Sequence, residues 1–230
     1  MFTVDFDADT SNGTFDFGHI DTAKYSGNIS YSSVNKTFGA GWTIPISGQE
    51  LLNDTFIPAN DWWATIDTGT TGASISRSSA DAYFSQVPGA TFDTGKGTYT
   101  FPCNSKLPDF TFGLGSGRAS INGSRLSSSL SRNDKTCSSK LGVSTGDGPY
   151  LWGQLFIQEF FVVFDWSQGR VGFASKASTT PTGQPYPTSS QTTTSSQQSA
   201  TGSSKSAATS WRIVNFLSIW VSIILFIIVI

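Results

Sequence analysis

Histidine is almost missing from these 230 residues: His19 is the only one. A Ser–His or Cys–His nucleophile system is therefore left without a convincing base. His19 itself reads as a polar residue near a turn. Cysteine is nearly as scarce. Cys103 and Cys137 are too few for a disulfide scaffold and lack metal-ligand spacing. No His/Cys/Asp cluster has zinc spacing, and there is no Gly-rich phosphate loop, so neither a metal nor a cofactor is expected. Charge is sparse at 13%, and 14 Lys and Arg against 16 Asp and Glu give a net charge of −2. Without a basic field, nucleic acid is not an expected partner.

What is present is aromatic, hydroxylated and glycine-rich. The 18 Phe and 7 Trp supply a sizeable core, and the 23 Gly with many Ser and Thr favour short strands and turns over long helices. Phe2–Phe6 and Thr14–Phe17 alternate with period two, as half-buried strands do, and Asn12-Gly13 between them reads as a hairpin turn. Apolar runs continue at Trp42–Ile46 and Thr98–Phe101, and Phe160–Phe164 fits a fully buried strand. Ser78–Phe84 reads as a short helix with Ser78 or Ser79 as N-cap and Asp81 in its first turn. Trp62-Trp63 reads as core. Residues 1–176 are thus expected to form one mainly β domain with short helices.

The composition then changes. Residues 177–210 are Ser, Thr, Gln, Pro and Gly with almost no apolar side chains, as in a disordered and O-glycosylated stalk. Residues 211–230 form a hydrophobic C-terminal tail, nearly pure apolar from Ile213 onward. Small residues around Gly202-Ser203-Ser204, a polar spacer and that tail match a GPI-attachment signal with Gly202 as the candidate site. An ordinary membrane anchor is the other reading. N-glycosylation sequons stand at Asn12, Asn28, Asn35, Asn53 and Asn122. Together they point to the secretory pathway and the cell surface, where Cys103 and Cys137 would form a disulfide. The first residues do not read as a signal peptide, and the expectation is a C-terminal piece of a longer protein.

The chemistry concentrates at Asp67-Thr68-Gly69-Thr70-Thr71, behind the apolar run Trp62–Ile66. Two carboxylates sharing a proton separate their pKa values, so that one takes a proton from water and the other donates to a substrate carbonyl. Gly permits the tight turn, and Thr hydroxyls can hold the carboxylate. A second copy, Asp93-Thr94-Gly95, lacks a preceding apolar strand and reads as a turn between strands.

Asp67–Thr71 resembles the second catalytic motif of pepsin-like aspartic proteases. Phe17-Gly18-His19-Ile20-Asp21 with Tyr25-Ser26-Gly27, Leu107–Phe112, Tyr150–Ile157, Phe161–Asp165 and Arg170–Ala174 resemble further segments of that family's C-terminal lobe, in the right order. Cys103 and Cys137 fall where the family's paired cysteines stand. The tail is similar to that of cell-surface relatives such as the yapsins. The resemblance implies the C-terminal lobe of a bilobal aspartic endopeptidase acting on peptide or protein substrates. Asp67 would be the catalytic carboxylate of this lobe. Thr68 would join the grip between two catalytic turns, Thr70 would bond the outer oxygen of Asp67, and Gly69 and Thr71 would line the cleft. Trp152 stands where the family has an aliphatic residue and Gln154 where Asp is common, so the packing beneath the turn should differ. Nothing before Asp67 supplies the first Asp-Thr-Gly or the flap. The partner would be a missing N-terminal lobe, and this chain alone is expected to be inactive. A homodimeric protease and a non-catalytic cell-surface binding module are the alternatives.

Overall fold

The computed structural model describes residues 1–177, apart from 11, 40, 53, 116, 130–134 and 147, together with the backbone of 211–212. Its strands are β1 (Phe2–Phe6), β2 (Gly13–Phe17), β3 (Tyr25–Ser33), β4 (Thr43–Glu50), β5 (Phe56–Ile66), β6 (Ala73–Ile75), β7 (Thr91–Asp93) and β8 (Thr98–Pro102). They continue as β9 (Phe110–Leu114), β10 (Gly117–Ile121), β11 (Ser127–Ser128), β12 (Thr136–Val143), β13 (Tyr150–Trp152), β14 (Phe160–Asp165), β15 (Arg170–Lys176) and β16 (Trp211–Arg212). Two α-helices are described, α1 (Arg77–Phe84) and α2 (Gln154–Ile157).

The strands form a six-stranded sheet, in the order β16-β2-β1-β14-β15-β3, and a ten-stranded one. The second runs β10-β9-β4-β5-β13-β6-β12-β8-β7, with β11 beside β12. In the first sheet β14 sits between β1 and β15, and all six of its residues are buried, as its continuous apolar run requires. Phe2 of β1 stacks on Phe164 of β14 at 4.6 Å. Trp152, Phe110, Phe112 and Phe156 lie at the centre of the core, with Phe112 and Trp152 rings 4.6 Å apart edge to face. Trp62 is core as expected, whereas Trp63 is half-buried against Phe38.

Two local expectations change. Asn12-Gly13 is not a two-residue turn: Gly13 still pairs with Phe6, and the connection spans residues 7–12. Asp7 organises it by accepting from the backbone N–H of Asp9 and Thr10, at 2.7 and 3.1 Å. Gly13 is needed for packing instead, since a Cβ there would stand 2.4 Å from the Phe6 ring. The N-cap of α1 is Ser76, whose side chain accepts from Ser79 N. That register puts Asp81 beyond the first turn, where it pairs with Arg77 one turn earlier and with the Tyr99 hydroxyl.

Cys103 and Cys137 are joined in a disulfide that closes β8 onto β12. Among the described residues no helix is long and apolar enough to cross a membrane. The expected stalk from 178, the GPI candidate Gly202, the apolar run from Ile213 and the sequon at Asn53 lie outside the described residues.

Candidate active site

β5 delivers Asp67. It is the longest strand, and its last residues lie parallel to β13, with Ala64 opposite Tyr150 and Ile66 opposite Trp152. Asp67 N donates to Trp152 O at 3.0 Å, so the ladder reaches the motif before the chain turns. There the aspartate organises its own loop. Its Oδ1 accepts from Gly69 N at 2.9 Å, and its Oδ2 accepts from Thr70 Oγ1 at 2.6 Å. Thr70 N donates to Asp67 O at 3.3 Å. The carboxylate is held by two donors and half-buried, and Gly69 and Thr71 are exposed beside it. Thr68 is half-buried, and its hydroxyl has no hydrogen bond among the described residues.

The turn rests on the start of α2. Gln154 N donates to Thr70 O at 2.7 Å, Leu155 N to Thr71 O at 3.1 Å, and Gly153 N to Gly72 O at 2.9 Å. Gly153 has to be glycine for this contact, because a Cβ would lie 1.9 Å from Thr70 O. Trp152 is fully buried, and its indole N–H donates to Ser74 O at 3.1 Å. Ser74 Oγ in turn accepts from Leu151 N at 2.9 Å. The large ring thus packs against Phe112 and Phe156 while tying β13 to β6 just past the motif. Gln154 fills the first position of α2 and contributes through its backbone. Ser74 carries no sequence signal of its own, since only the pairing of β6 beside β13 gives it this part.

The second Asp-Thr-Gly forms the same small loop, with Gly95 N donating to Asp93 Oδ1 at 3.0 Å. What surrounds it differs. It connects the hairpin strands β7 and β8 at the edge of the sheet, and Asp93 faces Lys96 at 3.6 Å. The structure does not bring Asp93 into a hydrogen bond with Asp67. Among the described residues no group of three or more His, Cys, Asp or Glu is placed to hold a metal.

Of the described sequons, Asn12, Asn28 and Asn122 are exposed and Asn35 is half-buried. Asn35 and Asn122 each accept from the residue two positions on, Thr37 N at 3.0 Å and Ser124 N at 2.9 Å, which caps a short 3-10 turn.

Comparison with known proteins matches residues 1–176 to the eukaryotic aspartyl protease family. The chain is 34% identical over 165 residues to aspergillopepsin-1 of Aspergillus pseudoglaucus, covering 72% of this chain and 41% of that protein. It is 37% identical over 178 residues to podosporapepsin of Podospora anserina, covering 76% and 41%. With penicillopepsin-1 of Penicillium janthinellum the identity is 32% over 166 residues, covering 72% and 50%. The chain therefore spans half or less of the length of these relatives.

Proposed function

Since this chain belongs to the eukaryotic aspartyl protease family, we propose that it is the C-terminal lobe of an aspartic endopeptidase, with Asp67 as one of two catalytic carboxylates. The observation that carries the reading is the Asp67 turn: a strand-end carboxylate fixed by Gly69 and Thr70, with Gly153 and α2 packed beneath it. The exposed side of that turn is where a second carboxylate would approach. Water held between the two would lose a proton to the ionised member and attack the peptide carbonyl, while the protonated member donates to the carbonyl oxygen. The free Thr68 hydroxyl is available to the opposing turn, and Gly69 and Thr71 to the substrate backbone.

The second carboxylate and the flap are assigned to an N-terminal lobe outside this sequence, and the substrate is a peptide or protein. Residues 1–176 then form the lobe, 177–210 a stalk, and 211–230 a tail that is removed for GPI attachment near Gly202 or retained in a membrane. The enzyme would work in the secretory pathway or at the cell surface, glycosylated at some of its five sequons.

The test is the 5′ end of the transcript, followed by expression of what it encodes. An upstream Asp-Thr-Gly behind an apolar strand is expected. The encoded protein should cleave peptides, and Asp67→Asn should reduce cleavage by roughly 10³-fold or more. Cleavage by the 230-residue chain alone would favour a homodimer. A two-lobed product that binds peptides but cleaves none would favour the binding module.

A further inference from the structure

The strands that end the two sheets are β16 and β3 in the first and β10 and β7 in the second. β10 carries Arg118, β7 carries Asp93 and β16 carries Arg212. β3 is the longest of these edges, with 9 residues, and has neither a charged residue nor a proline along Tyr25–Ser33. The free N–H and C=O groups of such an edge pair readily with another strand, and native folds blunt them with charge, proline, bending or a cover.

β3 is bent partway along, and a sequon stands at the bend. Phe173 pairs with Ser30 but Ser175 with Ser26, so Gly27–Ile29 lie opposite the single residue Ala174. The extra residues bend the strand, and Gly27 at φ +73° takes up the turn of the backbone without strain. Asn28 sits in this bend and is exposed. Its side-chain amide forms no hydrogen bond among the described residues, whereas those of Asn35 and Asn122 hold 3-10 turns. Ser30, also exposed, completes the sequon. Beyond the bend, Ser30–Ser33 pair in regular register with Phe173–Arg170, so the outer side of that half is an unbroken edge.

We propose that Asn28 carries an N-linked oligosaccharide that guards the β3 edge against pairing with β3 of a second copy. The inference rests on the secretory reading above. In the modification Asn28 Nδ2 forms a bond to C1 of the first sugar and loses one proton. The bond from that C1 to the lipid diphosphate donor breaks, and the diphosphate leaves with the electron pair. Without the oligosaccharide, β3 of two copies pairs antiparallel about a two-fold axis, each copy supplying the same row of backbone groups and no charge opposing another. A bulky, hydrated oligosaccharide is wider than the roughly 4.8 Å between paired strands and holds the two copies apart. No part of the Asp67 turn enters this assignment.

The experiment expresses the full 230-residue chain behind an added secretion leader in a yeast host. Phe17→Ser and Trp166→Ser are present throughout, so that exposed aromatic rings do not drive association. Glycopeptide mass spectrometry should find Asn28 occupied in most molecules. Sugars at other sequons with Asn28 bare would overturn the assignment and leave the secretory reading standing, and bare asparagine at every sequon would overturn both. Association is then followed by sedimentation in mild detergent. Ser30→Thr keeps the sequon and should behave as the parent. Ser30→Ala removes the oligosaccharide and should associate about tenfold more tightly or more, the worth of one or two net hydrogen bonds. The amides of Tyr25–Ser33 should gain hydrogen-exchange protection in that complex. Ser30→Lys also lacks the sugar but puts a charge on the edge, and should associate no more than the parent. A folded Ser30→Ala chain that stays as dissociated as the parent would overturn the guarding role, and so would association that leaves the β3 amides unprotected.

Discussion

At the residue scale, two carboxyls illustrate opposite pH behaviour. Asp165 is buried, and the Ser167 hydroxyl, Arg170 at 2.9 Å and Gln168 N hold its pKa below the ordinary carboxylate value. A lowered folded-state pKa contributes stability above the unfolded value, and that contribution is lost as pH falls through the folded one. Asp165→Asn should therefore cost stability at pH 6, and the gap to the parent should narrow below about pH 3.5 in urea melts at several pH values. Glu159 is the reverse. Burial pushes its carboxyl above the usual range, and Arg125 at 3.3 Å offsets only part of that. A raised pKa means that the folded state holds the proton more tightly, so stability falls as pH rises from about 4.5 through the folded value. Glu159→Gln should flatten that decline, gaining on the parent at pH 7 relative to pH 4. Neither residue carries a sequence motif. Their partners come from a hairpin bend and from a 3-10 turn 34 positions upstream, so their behaviour became legible only in three dimensions.

At the element scale, the Asp67 turn and α2 behave as one unit. The Asp67 turn was legible from the sequence because an apolar strand ending in Asp-Thr-Gly-Thr is a local pattern. Its foundation was only partly so, since Gly153 and Ser74 act across more than 70 residues of chain. Gly153→Ala forces the α2 start away from Thr70 O, and should cost about 1–3 kcal/mol or more in chemical denaturation. The disulfide belongs to this scale too. It closes a 34-residue separation between β8 and β12, so Cys103→Ser with Cys137→Ser should lower stability by about 3–4 kcal/mol on a chain-entropy estimate. The α1 cap and the first hairpin were misplaced by sequence reading for one shared reason. Ser76, Ser78 and Ser79 are chemically alike, and Asn-Gly favours a turn in isolation. Only the docking of α1 and the five-pair register of β1 with β2 chose among these options.

At the scale of the whole molecule, one aromatic row stands open. Phe17 and Trp166 are 63% and 67% exposed, and rings run between them through Phe2 and Trp42 at 5.9, 6.1 and 5.6 Å. Exposed apolar surface of this kind favours association. The chain expressed alone should bind a hydrophobic dye and self-associate, and Phe17→Ser with Trp166→Ser should reduce both, with little change in the melting temperature. What the sequence determined by itself was the mainly β class, the buried run of β14, the turn that presents Asp67, and the pairing of the only two cysteines. Each of these rests on periodicity, composition or neighbours within a few residues, where local sterics and burial suffice. What only the tertiary structure decided was what supports the Asp67 turn, namely Gly153, the start of α2 and Ser74, and which serine caps α1. Those outcomes depend on strand order and register, which bring together residues distant in the chain and which no local preference encodes.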